Sequence, residues 1–163
     1  MIRMLSLAAT AALFALPAAA CEGFSAHDAY ARFSTSMSQS GAAFMALHNA
    51  GPTDCHITGA RSEAAQRAEL HTHEIDANGV ARMTEVEDGF IVPAGGEHLL
   101  QRGADHVMLM GLTAPLEQGQ TFDVTFLFED GSESVVSVTV DNDRMPAAMN
   151  GQGHGHMGHQ AGH

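Results

Sequence analysis

The sequence lacks the residues with which proteins neutralise nucleic-acid phosphates. It contains no Lys, and its seven Arg are outnumbered by nineteen acidic residues, for a formal net charge of −12. Because nucleic-acid affinity comes mainly from Lys and Arg that displace counterions, this composition argues against a nucleic-acid partner. An anionic membrane surface is disfavoured for the same reason. The chain also has no Trp, one Tyr and two Cys, but ten Met and eleven His. This surplus of thioether and imidazole indicates a metal-binding protein.

Motifs of the common catalytic sites are absent as well. The sequence has no GxSxG, no HExxH and no glycine-rich loop that could cradle a phosphate. Neither cysteine has the pattern of a nearby base that would activate a nucleophile. We therefore expect a binding protein and not an enzyme.

Residues 1–20 have the composition of a secretory signal peptide. They contain one Arg and no acid, an apolar stretch at 4–16, and the small triplet Ala18-Ala19-Ala20. The apolar stretch is shorter than the roughly 20 residues that a membrane-spanning helix needs. We expect cleavage near Ala20, export to the periplasm, and no membrane insertion of the mature chain.

Cys21 would then be the first mature residue, and Cys55 is the second thiol of the chain. In an oxidising compartment the two could form a disulfide. A lipoprotein would also begin at Cys, although Ala18 stands where its cleavage pattern prefers a large aliphatic residue. The sequence leaves both possibilities open.

Residues 21–144 read as one all-β domain. Apolar and polar residues alternate along 121–128 and 136–140, which is the period of a half-buried strand. Asp130-Gly131 between these runs and Asn78-Gly79 further upstream are hairpin turn signals. Further short runs occur at 26–32, 42–48, 55–60, 97–101 and 106–112. Seven to nine short strands predict an antiparallel sandwich or small barrel.

The composition changes in the last segment, residues 145–163. Apart from Met, it has no aliphatic side chain larger than Ala, so it can bury too little apolar surface to offset the entropy of ordering. We expect a disordered tail. Histidine-rich tracts of this kind bind divalent metals, and Cu(II) outcompetes Zn(II) for nitrogen ligands. The candidate Cu(II) ligands of the tail are His154, His156, His159, His163 and Met157; a merely solubilising tail is the alternative.

Within the domain, His71, Met83, His106 and Met108 form the candidate site. His106 and Met108 are two apart on a predicted strand, so both side chains leave the same face. His71 and Met83 lie on the two arms of the predicted 76–79 hairpin, which would fold them beside each other. Two imidazoles and two thioethers are soft, uncharged donors that suit Cu(I) and suit Zn(II), Mg(II) or Ca(II) poorly. The set predicts a Cu(I) site without thiolate.

Simpler interpretations of these residues exist. Met108 and Met110 could be core filler, as Met usually is. His73 shares a face with His71 and could replace it or support it, and Met110 could replace Met108 in the same way. Four other histidines have no comparable partners and are expected at the surface or in hydrogen bonds: His27, His48, His56 and His98. A blue-copper electron carrier is disfavoured, because its Cys ligand would have to follow Cys55.

At these positions the sequence closely resembles the PCu(A)C family of periplasmic copper chaperones. The likeness covers roughly residues 26–142, and the ordered His…Met…His-x-Met set is its specific part. The matching segments are Glu69-Leu70-His71-Thr72-His73, Met83, Val92-Pro93-Ala94-Gly95-Gly96 and His106-Val107-Met108-Leu109-Met110-Gly111-Leu112, with Asp28-Ala29-Tyr30-Ala31-Arg32 and Gly41-Ala42-Ala43-Phe44-Met45 before them. The spacings His71–Met83 and Met83–His106 are each about one residue longer than in the family pattern.

The resemblance implies a cupredoxin-like antiparallel β-sandwich of Greek-key type that binds one Cu(I) through His71, Met83, His106 and Met108. It further implies a monomer that delivers copper to the Cu(A) subunit of cytochrome c oxidase, alone or with a Sco-type copper protein. Two rival functions are a copper storage or resistance protein that buffers without delivery, and a non-metal interaction module whose tail binds zinc incidentally.

Overall fold

The computed structural model of the protein describes residues 21–35 and 37–145. Within these residues all regular structure is β-strand, as the alternating sequence predicts. The ten strands are β1 (Phe24–Phe33), β2 (Ser40–Asn49), β3 (Cys55–Arg61), β4 (Ala65–Ile75), β5 (Ala81–Glu85), β6 (Phe90–Val92), β7 (Glu97–Leu100), β8 (His106–Leu112), β9 (Thr121–Phe128) and β10 (Glu133–Val140).

The strands pair into one closed, sandwich-like sheet. Seven of them form a circuit in the order β4-β8-β2-β1-β10-β9-β3, and β3 closes it by pairing with β4 through Ala60 and Ala68. β5 extends the sheet beside β4, β6 pairs with β3, and β7 pairs with β2. The pairings are antiparallel except for that of β1 with β10, which is parallel. The expected β-sandwich is confirmed, with one parallel pair that the alternation did not predict.

The core lies inside the closed sheet and follows the predicted alternation except at Thr125, which is buried between Val124 and Phe126. On β9, Val124, Phe126 and Phe128 are buried, while Thr121 and Asp123 are exposed. On β10, Val136, Val138 and Val140 point into the core, while Val135 faces solvent. Apolar burial of this kind contributes about 25 cal/mol per Å² and holds the two layers together. The alternation therefore also decides which side chains lie on the outer faces.

The number of strands exceeds the expected seven to nine because of β6. This strand has three residues, which is too short for its alternation to stand out in the sequence. Phe90 and Val92 are buried and lie opposite Ile57 and Cys55 of β3. The pairing partner, more than the local sequence, makes this segment a strand.

Cys21 and Cys55 form a disulfide, with their Cα atoms 5.3 Å apart. The bond joins the start of the domain to the beginning of β3 and spans 34 positions of sequence. A loop of this length stabilises the fold by roughly 3 to 4 kcal/mol through the unfolded state. The sequence alone left this pairing open.

Two predicted segments lie outside the described residues: the signal peptide at 1–20 and, apart from Met145, the tail at 145–163. Of the residues that are described, none belongs to a helix long and apolar enough to cross a membrane.

Candidate metal centre

The candidate ligands of β4 and β8 lie on one outer face of the sheet. Leu70 on β4 and Val107 on β8 face the core, so their sequence neighbours face outwards. The register pairs His71 directly with His106, and Glu69 with Met108. Side chains directly opposite each other on antiparallel strands are separated by about 5 Å at Cβ. The fold therefore brings His71, His106 and Met108 together, as the sequence predicts.

The two imidazoles are close to each other and sheltered from solvent. Their ring centroids are 6.0 Å apart with planes inclined by 60°, and His106 is only 1% exposed. Nδ1 of His106 donates a hydrogen bond to the carbonyl oxygen of Ala104 at 2.9 Å. Because a neutral imidazole carries one proton, this bond leaves a lone pair on Nε2. Among the described residues, that buried Nε2 has no hydrogen-bond partner. A metal ion is a suitable partner for such an atom.

His71 has a comparable arrangement with a carboxylate in place of the carbonyl. Its Nε2 lies 2.9 Å from Oε2 of Glu69, and its Nδ1 is buried and has no partner within the described part of the chain. Each candidate histidine thus has one nitrogen hydrogen-bonded to the protein and one free. Metal-binding histidines in proteins commonly have this arrangement.

The electrostatics of the face favour neutral imidazole and ionised carboxylate. Burial lowers the pKa of His106, and the bond to Ala104 offsets this only in part. His106 is therefore neutral at neutral pH, which is the form that binds metals. Burial opposes ionisation of Glu69, but hydrogen bonds from His71 and Arg67 outweigh it and hold the pKa of Glu69 below its usual value.

Met83 reaches the same region from the hairpin. It lines a cleft of about 380 Å³ together with His106, His73 and Phe44. With Met108 it also lines an adjoining cleft of about 330 Å³. Met83 is 44% exposed, so this residue lies on the solvent-facing side of the site. Met83 and Met108 therefore line one cleft, and Met83 also lines the adjoining cleft with His106.

The register of the hairpin differs from the one expected. Met83 lies directly opposite His73, and His71 lies opposite Glu85. The connection runs from residue 76 to 80, one residue longer than the predicted 76–79, with Asp76 Oδ1 accepting hydrogen bonds from the amides of Asn78 and Val80. His71 and Met83 share a face but are diagonal neighbours, since their register positions differ by two.

His73, which the sequence offered only as an alternative to His71, lies closer to His106 than His71 does. Its ring centroid is 5.2 Å from that of His106, closer than the His71 ring. Met110 lies opposite Arg67 at the far end of the face and does not line either cleft. His73 is thus the stronger of the two alternates.

Three further residues belong to this site and were not predicted from the sequence: Glu69, Phe44 and Arg102. Glu69 could have been found, because it lies two residues before His71 and strand parity places both on one face. Phe44, whose ring is 6.0 Å from His106, and Arg102, which lines both clefts with Met83, come from strands or loops whose approach the sequence does not reveal.

Across residues 21–35 and 37–145, no three side chains of His, Cys, Asp and Glu form a group that could hold a metal ion. Two of the other histidines of the domain lie near carboxylates. His56 contacts Glu129 and the carbonyl of Asp88, whereas Nε2 of His98 lies 3.0 Å from Oδ2 of Asp105 but makes no hydrogen bond within the described residues. The proposed tail ligands, including His154 and His163, lie outside the described residues.

Comparison with known proteins assigns the family. The family model described as "Putative lipoprotein LpqE-like" matches residues 24–140. The chain belongs to the LpqE-like family. A relative from Leifsonia xyli subsp. xyli, named "Putative lipoprotein Lxx21020", is 46% identical over 99 residues, which are 61% of this chain and 59% of that protein. The chain thus spans less than two thirds of the length of the curated relatives it matches.

Solved structures of similar fold agree with the sequence resemblance. Apo-DR1885 from Deinococcus radiodurans is 31% identical, with a TM-score of 0.58, over 88% of this chain and 95% of that one. A copper-bound PCuAC domain from PmoF2 is 15% identical, with a TM-score of 0.60, over 76% of this chain and 96% of that one. This LpqE-like protein therefore has the cupredoxin-like fold of PCuAC domains, as the sequence predicted.

Proposed function

We propose that this LpqE-like protein is a copper chaperone that binds Cu(I) through His71, Met83, His106 and Met108. One observation carries the proposal: His71 and His106 each have one buried nitrogen with no partner among the described residues, and Met83 and Met108 line clefts on the same face. Neutral nitrogen and thioether donors suit Cu(I). A carrier of this kind performs no catalysis, since its cargo enters and leaves unchanged.

The solved relatives support copper as the cargo. One of the PCuAC domains was solved with copper bound, and the DR1885 protein was also solved in its Cu(I) form. Both cysteines of this chain are joined in the disulfide, so no thiolate is available to build a blue-copper or zinc-thiolate site. A thioether site holds Cu(I) where a free thiol would be oxidised.

An exported, periplasmic location fits the same set of features. Disulfides persist in oxidising compartments, the first 20 residues resemble a signal peptide, and the Leifsonia relative is named as a lipoprotein. A lipid thioether on Cys21 and the Cys21–Cys55 disulfide would use the same sulfur atom. We propose the disulfide form with cleavage near Ala20, and mass spectrometry of the secreted protein distinguishes the two.

Delivery of copper to the Cu(A) subunit of cytochrome c oxidase, directly or through a Sco-type protein, is the function we propose for the loaded form. The half-exposed Met83 gives a recipient access to the metal without unfolding the domain. The experiment mixes the full chain, loaded with one equivalent of Cu(I), with an apo Cu(A) domain and measures copper in each after separation. Copper on the Cu(A) domain supports delivery. Retention of copper by the chaperone would contradict delivery and favour the storage alternative.

The tail, residues 145–163, is proposed as a second, Cu(II)-binding region. Arg144, shortly before the tail, lies near the cleft lined by Met83 and Met108. Arg32 lines that cleft, and its Nη1 donates a hydrogen bond to the carbonyl of Arg144 at 3.0 Å. The candidate ligands His154, His156, His159, His163 and Met157 follow this point in the sequence, outside the described residues. The test is Cu(II) stoichiometry with and without residues 145–163; equal stoichiometry would overturn the proposal.

A further inference from the structure

Glu69 lies between Arg67 and His71 on the outer face of β4. One carboxylate oxygen, Oε1, accepts from Nε of Arg67 at 2.7 Å and also from its Nη2. The other, Oε2, lies 2.9 Å from Nε2 of His71. The side chains of Glu69 and His71 are only 15% and 12% exposed. The carboxylate is therefore fixed from both sides and largely screened from water.

The identity of the acceptor decides where the proton of His71 resides. An ionised carboxylate can only accept hydrogen bonds, so the nitrogen that faces it must carry the proton. The guanidinium of Arg67 contacts the other oxygen of Glu69, and a positive charge in that position favours the ionised carboxylate. A neutral His71 is then protonated at Nε2 and has its lone pair on Nδ1. That Nδ1 is buried, and no other described residue hydrogen-bonds to it.

His106 shows the opposite arrangement on the neighbouring strand. Its Nδ1 donates to the carbonyl oxygen of Ala104, so its lone pair is on Nε2. Two histidines that lie directly opposite each other in the register are thus held in different tautomers by different acceptors. Sequence spacing could not distinguish them.

We propose that Glu69 is a positioning residue that holds His71 in the Nε2–H tautomer, so that His71 binds Cu(I) through Nδ1 while His106 binds through Nε2. The inference rests on the proposed function, since it names which nitrogen of each histidine is the donor. Arg67 acts one step further out, by fixing the carboxylate. Glu69 itself does not touch the metal.

The alternative is that Glu69 only forms a surface ion pair with Arg67 and its contact with His71 has no effect on the ligand. Exposed pairs of that kind contribute little to stability or binding. Glu85 offers a matched control, because it lies directly opposite His71 on β5, is exposed, and carries the same charge. Removing the charge of Glu85 tests whether a nearby negative charge alone affects the site, because the hydrogen bond between Glu69 and His71 is kept.

The experiment is two-bond ¹H–¹⁵N NMR of the histidines in the full chain, with and without one equivalent of Cu(I). Spectra are recorded at about pH 8, above the ordinary imidazole pKa. We expect a protonated Nε2 on His71 in the apo protein and a Cu(I)-induced shift at its Nδ1. Cu(I) has a filled d shell and leaves the spectrum diamagnetic, so both nitrogens stay observable.

Three variants complete the test: Glu69→Ala, Glu69→Gln and Glu85→Gln. Loss of an outer-shell partner typically lowers metal affinity about 10- to 100-fold, so we expect this from Glu69→Ala, together with a mixture of His71 tautomers. Glu69→Gln retains an acceptor oxygen and should fall between Glu69→Ala and the wild type, even if Glu69→Ala folds poorly. Glu85→Gln should change neither the tautomer nor the affinity.

The possible outcomes distinguish failure of the Glu69 positioning role from failure of the proposed copper-binding function. Cu(I) bound at Nε2 of His71, or an unchanged tautomer in both Glu69 variants, would overturn the positioning role and leave the copper site intact. A wild-type protein that binds no Cu(I) would overturn the proposed function itself.

Discussion

The imidazole half and the thioether half of the proposed copper site are built differently. His71 and His106 lie on strands paired on both sides, are sheltered from solvent, and each have one nitrogen hydrogen-bonded to the protein. Met83 lies on β5, which pairs with β4 and with no other strand of the described residues, and almost every residue of β5 is exposed. Met108 is intermediate, half-buried beside the histidines.

This difference indicates that the histidines and the methionines have different roles in holding and releasing the metal. Donors already held in place lose little entropy when the metal binds, so the histidines should supply most of the affinity. The half-exposed side chain of Met83 can move away from the metal with little disturbance of the fold. A chaperone needs both properties, because it must hold its cargo and then release it.

The largest effect should come from the buried half. His106→Ala removes a preorganised donor, and we expect Cu(I) affinity to fall by about a hundredfold or more, near 2.7 kcal/mol. Competition titration against a Cu(I) chelator measures it. His48→Ala is the control, since His48 lies outside the site, and it should leave affinity unchanged. A loss below about threefold for His106→Ala would contradict this difference in roles.

Met108→Leu should have a smaller effect. The change keeps the volume of the side chain and removes its sulfur, so the fold is preserved while one donor is lost. We expect affinity to fall by about tenfold, near 1.4 kcal/mol. Met110→Leu on the same face is the matched control. If Met110→Leu costs more than Met108→Leu, the ligand has been misassigned.

Met83→Leu should affect release more than affinity. We expect an affinity loss of about three- to fivefold, most of it through faster transfer of Cu(I) to a chelator in stopped-flow measurements. Because Met83 is 44% exposed, the stability of the apo protein should change by less than about 0.5 kcal/mol. A strong loss of apo stability would show that Met83 is packing, not a ligand.

The smallest effect concerns pH and needs no metal. The pKa of His106 is lowered from 6.5 in the folded protein, chiefly by burial, so the unfolded chain takes up its proton first. Acidification through pH 6.5 should therefore destabilise the apo protein, and His106→Gln should flatten that dependence in denaturant titrations.

His56 provides the opposite sign for comparison. Its pKa is raised, chiefly by the hydrogen bond to the Asp88 carbonyl and then by Glu129. Its contribution to stability is present below pH 6.5 and is lost as the pH rises through its folded value. His56→Gln should therefore make the loss of stability on acidification steeper. A flattening by both variants would contradict these assignments.

Much of the fold could be predicted from alternation, but register could not. Parity along β8 placed His106 and Met108 on one face, and this is correct because a strand allows no other arrangement. The register of the β4–β5 hairpin could not be predicted in the same way. Its turn at Asp76 is one residue longer than expected, and this places Met83 opposite His73. A shift of this size depends on backbone hydrogen bonds in the turn, which the residue types alone do not determine.

The contacts that surround the proposed ligands were even harder to predict from the sequence. Glu69 has the right parity, but only the structure shows that its carboxylate hydrogen-bonds to His71. Phe44 approaches His106 from β2, whose position beside β8 follows from the topology of the whole sheet. Such contacts depend on long-range pairing, which local sequence does not encode.

The most direct test of the account is the X-ray absorption spectrum of the full chain loaded with one equivalent of Cu(I). The account predicts two nitrogen and two sulfur scatterers around a monovalent ion, and loss of the sulfur contribution in the Met83→Leu, Met108→Leu double variant. A spectrum with nitrogen or oxygen scatterers alone, or sulfur that persists in the double variant, would contradict a site built from these two histidines and two methionines.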